Sequence, residues 1–239
     1  MRKFRYIIFL GISILVLVNF VFAKNNLYQQ YNQKNDLVQL SSLTKVQGIS
    51  GRVDLPETYI TERSHFKIHY TTSGSNAVNS IDYVHEVGKA AEHSYSLLVD
   101  DMGFNAPPND NGIDGEQLDI YIVEYNGYRY AETFFGSNTK NENTDREYDY
   151  FSYMKIDNNY EESAYTTNGL EGMQVTVAHE FFHMVQLGYN FFSGDRFFLE
   201  WSSVWFEDIA YPEINDFLQY QAIFRNPQAS IWYSNGWYE

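Results

Sequence analysis

The chain has 239 residues, of which 44% are hydrophobic and 18% aromatic, and this length allows one substantial hydrophobic core. Its formal net charge of −15 at pH 7 disfavours binding to nucleic acid or to an anionic membrane. The chain contains no cysteine, which excludes a disulfide framework. Stability must therefore come from the core, from bound metal or from both.

The amino-terminal residues have the pattern of an export signal. Basic residues at positions 2, 3 and 5 precede an apolar run from Tyr6 to Phe22, and Ala23 follows where signal peptidase requires a small residue. We therefore predict a signal peptide over residues 1–23 and a protein that is secreted, periplasmic or held at the cell surface. The alternative is an uncleaved membrane anchor, because the run is at the lower length limit of a spanning helix.

The next segment, residues 24–60, is polar and rich in Asn and Gln, without sustained periodicity before Val53. Such a composition is typical of a linker or pro-segment. We expect one folded domain over residues 61–239.

The stretch "SHFKIHYTTSG" alternates apolar Phe66, Ile68 and Tyr70 with polar residues, and this period of two predicts a strand. His65 and His69 lie on the polar face of that strand. We expect both histidines to be solvated rather than to bind metal.

A helical pattern follows from Asn76 to about Met102, and Gly103 stands where a helix would end. Its apolar stripe consists of Ile81, Val84, Val87, Ala91, Tyr95 and Leu98. His85 and His93 belong to this helix but are about 12 Å apart along its axis, too far to bind one ion. We expect them at the surface.

The acidic turn "NDNGIDG" precedes a strongly apolar strand at Leu118–Val123. Asp110 and Asp114, with Gly112 and Gly115, resemble the start of a Ca²⁺ loop, but Tyr121 stands where such a loop needs a bidentate glutamate. A plain turn is the competing interpretation.

A polar loop is predicted at residues 136–149, and "YFSYMKIDNNY" then predicts a further strand. The mixture of strands and helices along the chain indicates an α+β fold.

Residues 175–189, "VTVAHEFFHMVQLGY", lie in a helical pattern from Met173 to Leu187 that ends at Gly188. His179 and His183 are four residues apart, so their imidazoles can reach one metal ion from successive turns. Glu180 projects beside that ion, where a general base could take a proton from a zinc-activated water molecule.

The third metal ligand must be a carboxylate if it lies downstream, because no cysteine exists and no histidine follows His183. "DRFFLEWSSVWFEDIAYPE" predicts a second helix with Asp195 as N-cap and an apolar stripe of Phe198, Trp201, Trp205 and Ile209. Glu200 and Glu207 share one face but lie about 10 Å apart along the axis. One is therefore the ligand and the other a neighbour, such as a hydrogen-bond partner of a histidine.

HEFFH followed by a glutamate on a tryptophan-rich helix resembles the gluzincin branch of the zincin metallopeptidases. It is more closely similar to secreted bacterial metallopeptidases that have an HE-aromatic-Phe-His helix and a downstream E-x-x-x-x-W-x-E-D helix. Glu200, Trp205, Glu207 and Asp208 match that second pattern in order, over about residues 174–215. A weaker likeness extends back to Ser64. Trp201 departs from the glycine that many gluzincins have after the ligand.

This resemblance implies a zincin-like α+β fold, with the HExxH helix in an amino-terminal lobe of mixed sheet and helices, and with a helical carboxy-terminal lobe. It implies Zn²⁺ held by His179, His183 and Glu200, with Glu207 as the fallback ligand. Glu180 would be the general base of a metallopeptidase, with an endopeptidase expected before an aminopeptidase. Only residues 184–239 follow the motif, so we expect the helical lobe to be incomplete.

Gluzincins also lay a peptide substrate along a strand edge, here expected at "FSYMKIDNNY" unless that strand is interior. They stabilise the oxyanion with a Tyr or His, for which Tyr189 and Tyr211 are candidates without a choice between them. Two alternatives to a peptidase stay open. One is a non-catalytic secreted binding or adhesion module on the same scaffold, and the other a metal-dependent hydrolase of non-peptide substrates.

Overall fold

The computed structural model describes residues 52–109, 114–138, 150–189 and 196–218. The predicted signal peptide, most of the predicted linker or pro-segment and the residues after 218 lie outside this range. The described residues form an α+β fold with a five-stranded mixed sheet and three α-helices. Among them, no helix is both long and apolar enough to cross a membrane.

The strands are β1 (Glu57–Ile60), β2 (Phe66–Tyr70), β3 (Leu118–Val123), β4 (Ala131–Asn138) and β5 (Tyr150–Asp157). The helices are α1 (Ile81–Tyr95), which continues into a π-helical segment Ser96–Asp101, then α2 (Gly169–Leu187) and α3 (Arg196–Ala210). The strand order is β1-β2-β3-β5-β4. β2, β3 and β5 run parallel in the centre, and β1 and β4 are antiparallel to their neighbours.

The main core lies between the sheet and the helices. Alternate strand residues are fully buried on the helix-facing side, namely Phe66, Ile68, Ile120, Ile122, Met154 and Ile156. A smaller cluster of Leu55, Tyr121, Val123 and Tyr153 covers the opposite face. Because both faces of the central strands are covered, β3 is buried along its whole length, as expected for a parallel strand.

The folded unit begins earlier than the predicted boundary at residue 61. β1 pairs with β2, and Leu55 is buried against the outer face of the sheet. Arg52 donates to Asp119 on β3 at 2.5 Å. Residues 52–60 therefore belong to the domain and are not linker, because they supply a strand and cover apolar side chains on the outer face of the sheet.

Helix α1 starts at Ile81 rather than at Asn76, because the Ser80 hydroxyl accepts the N–H of Tyr83 and caps the helix there. Ile81 is consequently exposed, whereas Val84, Val87, Ala91 and Leu98 of the predicted stripe are buried. Gly103, at φ +77°, follows the π-helical segment, consistent with the predicted stop. His85 and His93 are exposed, as expected.

β4 was not expected as a strand, and it overlaps residues 136–138 of the predicted polar loop; residues 139–149 lie outside the described range. β4 forms the edge of the described sheet beside β5. The predicted strand β5 is confirmed, but it lies between β3 and β4, so it is an interior strand. Its own edge is therefore not open to a peptide.

Helix α2 is central among the described elements and contacts α1, α3, β4 and β5. It is buried on almost every side, as its apolar sequence predicts, and it ends at Gly188 as expected. The polar residues of the HExxH motif therefore lie within an apolar environment, where they require partners.

The buried face of α3 differs from the predicted stripe of Phe198, Trp201, Trp205 and Ile209. Trp205 is 45% exposed and the other three are only partly buried, whereas the buried residues are Ser203, Phe206, Glu207 and Ala210. The reason is that α3 packs on α2. Contacts with the HExxH histidines, as well as apolar area, decide which residues of α3 are buried. The predicted N-cap, Asp195, lies outside the described residues.

Gly172 lies in the first turns of α2, and its substitution tests the packing of this helix. A Cβ atom at this position would lie 2.5 Å from the carbonyl oxygen of Thr167, which is backbone and cannot move aside easily. We predict that Gly172→Ala lowers the free energy of unfolding by about 1–3 kcal/mol, although Gly→Ala inside a helix normally raises it by about 0.5–1 kcal/mol. Urea denaturation followed by circular dichroism measures the change.

Leu170→Ala, at an exposed position of the same helix, is the control and should change that free energy by less than about 0.5 kcal/mol. A stabilised Gly172→Ala variant would contradict the described packing.

Candidate metal centre

Helices α2 and α3 bring His179, His183 and Glu200 together. The two Nε2 atoms lie 3.0 Å apart. Glu200 Oε2 lies 3.2 Å from Nε2 of His179 and 3.4 Å from Nε2 of His183. The three side chains are partly buried but keep some exposure, 14% for each histidine and 26% for Glu200. The cluster thus lies near the surface of a largely apolar helix pair.

Glu207 contacts the far side of the His179 ring. Its Oε1 accepts a hydrogen bond from Nδ1 of His179 at 2.5 Å, and Glu207 is only 5% exposed. The imidazole of His179 therefore contacts both Glu200 and Glu207, which lie two turns apart on α3. Of the two glutamates, Glu200 faces the converging nitrogens and Glu207 orients the histidine.

His183 is oriented by an amide instead of a carboxylate. Gln186 Oε1 lies 2.8 Å from Nδ1 of His183, and Gln186 Nε2 donates to Leu199 O at 3.0 Å and to Ser202 Oγ at 2.9 Å. These two donations assign the amide nitrogen, so its oxygen accepts from the histidine. Gln186 therefore holds His183 and also joins α2 to α3.

These hydrogen bonds place three lone pairs at one point. Each histidine uses Nδ1–H to donate to its partner, so the neutral imidazole presents an unprotonated Nε2. The two Nε2 atoms and Glu200 Oε2 then face one another at 3.0–3.4 Å as three acceptors. Such an arrangement is unfavourable unless a proton or a metal cation lies between the three atoms. The side chains present fit a metal ion.

The electrostatics of the cluster agree with this interpretation. Burial alone would lower the pKa of His179, but its hydrogen bonds to Glu200 and Glu207 raise that pKa well above the usual value. Burial would raise the pKa of Glu200, yet the hydrogen bonds to the two histidines lower it far below the usual range. Burial raises the pKa of Glu207 in spite of His179. The site therefore attracts positive charge, whether a proton or a metal ion.

Glu180 lies beside His179 on α2, but its carboxylate accepts a hydrogen bond from a residue of the sheet. Thr133 on β4 donates its hydroxyl to Glu180 Oε2 at 2.5 Å. Glu180 is 8% exposed and is not a member of the ligand cluster. The sequence places Glu180 next to His179, and the structure adds an anchoring partner from another element.

Gln186 and Thr133 were not identified from the sequence. Gln186 follows His183 by three residues, and the i,i+3 spacing on a helix was a signal that could have revealed it. Thr133 lies 47 positions before Glu180, in a strand that the sequence pattern did not indicate. Only the packing of β4 against α2 brings Thr133 and Glu180 together.

Both tyrosines considered as oxyanion donors have partners elsewhere in the fold. The hydroxyl of Tyr189 accepts the backbone N–H of Asn105 at 2.8 Å. Tyr211 is buried with its ring 5.3 Å from that of His93. The role of oxyanion donor stays without a residue.

A second histidine–carboxylate group lies on the opposite face of the sheet. His69 is 4% exposed and not solvated as expected; its Nε2 lies 2.9 Å from Asp119 and 3.3 Å from Asp114. Lys67 pairs with Asp114 at 2.6 Å and Arg52 with Asp119 at 2.5 Å. Two cationic side chains already neutralise the two carboxylates, so this group has no surplus negative charge for a metal ion.

The same ion pair bears on the Ca²⁺ loop suggested at residues 110–115. Asp114 is engaged by Lys67 through both its carboxylate and its backbone carbonyl, the latter at 3.0 Å. Residues 110–113 lie outside the described part of the chain. Calcium binding there stays a prediction, and it would have to displace Lys67.

Three carboxylates, those of Glu124, Asp157 and Glu162, also approach one another at the ends of β3 and β5. Asp157 is fully buried and accepts from the backbone N–H groups of Tyr125, Asn159 and Tyr160. These bonds show that Asp157 organises the two loops that follow the strands.

Comparison with protein-family models, with curated proteins and with solved structures finds no match for this chain. The α+β class and the geometry of the histidine–glutamate cluster therefore stand on the structure alone. The zincin resemblance stays an inference from the sequence motifs.

We predict different effects for the two glutamates of α3. Glu200→Ala removes a ligand and should abolish stoichiometric Zn²⁺ binding, whereas Glu207→Ala should weaken it about 10- to 100-fold through loss of histidine orientation. Isothermal titration calorimetry and metal analysis of the purified variants measure both effects.

Glu213→Ala, at an exposed carboxylate beyond α3, is the control for loss of negative charge and should bind Zn²⁺ like the wild type. Full occupancy in Glu200→Ala together with lost binding in Glu207→Ala would move the ligand assignment to Glu207.

Proposed function

We propose that this chain is an exported zinc-dependent peptidase, with Zn²⁺ held by His179, His183 and Glu200 and with Glu180 as general base. The observation that carries the proposal is the convergence of three acceptor atoms within 3.4 Å of one another, beside a separate glutamate. Export rests on the signal pattern at residues 1–23, and the acidic composition suits a soluble exported enzyme.

The donor set favours zinc among the common metal ions. Two imidazoles and one carboxylate are ligands that Zn²⁺ accepts readily, and three protein ligands are typical of a catalytic site that keeps a fourth position for water or substrate. Zinc bound here would polarise the carbonyl group of a substrate and lower the pKa of a water molecule. Calcium prefers six to eight oxygen ligands and does not suit this cluster.

The residues of the chain then have distinct tasks. Glu207 and Gln186 hold the two imidazoles with Nε2 toward the ion, because each accepts a hydrogen bond from Nδ1. Glu180 takes a proton from the attacking water and can return it to the leaving amine. Its side chain contacts Thr133 and not the ligands, so its carboxylate is available as a base.

Peptides are proposed as substrates because of the HEFFH and E-x-x-x-x-W-x-E-D resemblance. Since β5 is interior, an extended peptide would pair with β4, which is one of the two edge strands of the described sheet and contacts Glu180. This assignment replaces the expectation that β5 itself receives the substrate.

The main alternative is a secreted binding or adhesion module that uses the metal only for stability. Structural zinc sites are closed by four protein ligands, whereas three side chains converge here within the described residues. A structural site also has no need for a glutamate like Glu180. Both features favour catalysis over a purely structural role.

We predict that Glu180→Gln keeps stoichiometric Zn²⁺ but lowers kcat for casein or a fluorogenic peptide by about 10²- to 10⁴-fold, since general-base catalysis is lost. Metal analysis and hydrolysis assays on the same preparations measure the two properties. Glu171→Gln, at an exposed position in the first turn of α2, is the matched control and should hydrolyse like the wild type.

Unchanged hydrolysis by Glu180→Gln would refute the mechanism. A wild type that binds Zn²⁺ tightly but hydrolyses neither casein nor a peptide library would favour the binding module.

A further inference from the structure

Thr133 on β4 forms a hydrogen bond with Glu180, the proposed general base. Thr133 Oγ1 donates to Glu180 Oε2 at 2.5 Å and also lies 3.2 Å from the backbone oxygen of Glu180. Thr133 pairs with Met154 across the sheet, and Met154 is fully buried on the helix-facing side. Opposed residues of an antiparallel pair share a face, so the strand itself directs the Thr133 hydroxyl toward α2.

The two oxygens of the Glu180 carboxylate have different surroundings. Oε2 accepts the Thr133 hydroxyl. Oε1 accepts no hydrogen bond from the described residues and retains contact with solvent. The carboxylate has one anchored oxygen and one oxygen free to accept a proton from water.

We propose that Thr133 is a positioning residue for Glu180. The terminal torsion of a glutamate side chain is soft, so an unanchored carboxylate samples a wide range of orientations. A short hydrogen bond to an ionised oxygen is stronger than a neutral one and restricts that torsion. Thr133 thereby presents Oε1 to the attacking water. This inference rests on the proposed function, because it assigns Thr133 a task only if Glu180 acts as a base.

A purely structural role for Thr133 makes different predictions. If the bond only ties β4 to α2, its loss lowers stability but leaves the rate of the chemical step unchanged in the folded enzyme. If the bond orients Glu180, its loss lowers kcat while substrate binding and metal content stay the same.

The test compares Thr133→Val, which keeps the shape but removes the hydroxyl, with Thr133→Ser, which keeps the hydroxyl. We expect Thr133→Val to retain stoichiometric Zn²⁺ and to lower kcat about 10- to 100-fold with KM changed less than about 3-fold, because misplacing a catalytic group costs this much. Thr133→Ser should recover kcat to within about 3-fold of the wild type. Equal kcat values for wild type and Thr133→Val would overturn the proposal.

Thr61→Val is the matched control. Thr61 is buried and its hydroxyl, like that of Thr133, donates to a glutamate, here Glu92, but the pair lies beside β1 and α1. Thr61→Val should destabilise the protein while kcat and KM stay within about 2-fold of the wild type. A loss of kcat as large as that of Thr133→Val would show that any lost Thr–Glu bond reduces activity, which also contradicts the proposal.

A measurement without substrate separates this inference from the proposed function. In urea denaturation of the Zn²⁺-loaded protein, Thr133→Val should lower the folding equilibrium constant about 5-fold in the wild type but less than about 2-fold in a Glu180→Ala background, because the partner is already gone. Equal effects in both backgrounds would overturn the proposed anchoring. If the wild type lacks hydrolytic activity but the two effects differ, the peptidase proposal fails and the anchoring of Glu180 stands.

Discussion

The meeting of three hydrogen-bond acceptors between α2 and α3 is the constraint on which the site depends. Nε2 of His179, Nε2 of His183 and Oε2 of Glu200 lie within 3.4 Å of one another. Acceptors repel at such distances, and an apolar helix pair provides little water to separate them. A cation between them converts this repulsion into attraction. Metal binding and the packing of α2 on α3 should therefore stabilise each other.

Hydrogen bonds outside the cluster make the convergence possible. Glu207 and Gln186 each accept Nδ1–H from a histidine and so turn Nε2 inward. Gln186 also donates to the backbone of α3, so the tautomer of His183 depends on the helix–helix contact itself. The face that α3 buries follows from this requirement. Glu207 contacts His179, Ser203 Oγ lies 3.2 Å from Nδ1 of His183, and Trp205 is left at the surface. Polar contacts at this interface prevail over the larger apolar area of the tryptophan.

Much of the site could be predicted from the sequence because its elements are local. His179, Glu180 and His183 lie on one helix, and helical geometry places their side chains on neighbouring turns. Elimination of other ligand types, together with the seven-residue spacing of Glu200 and Glu207, limited the third ligand to two candidates. The order of strands was beyond such reasoning: β4 has no clear alternation, and β5 could be an edge or an interior strand until its neighbours were known. His69 alternates with apolar residues like a solvated side chain, but Asp119 and the ring of Tyr121, both distant in sequence, bury it.

The sequence by itself determined which metal-binding side chains can meet on one helix, because this depends only on residue types and helical periodicity. It established two histidines four residues apart, an adjacent glutamate and a downstream helix that carries two glutamates on one face. Only the tertiary structure shows that Glu200, and not Glu207, lies in one cluster with both histidines, because this depends on how α3 packs across α2 and not on spacing along α3. It also decided the partner of Glu180, since Thr133 reaches that carboxylate only through the stacking of the sheet edge on α2. Contacts between elements depend on packing, and no periodic pattern in the sequence indicates how two elements pack.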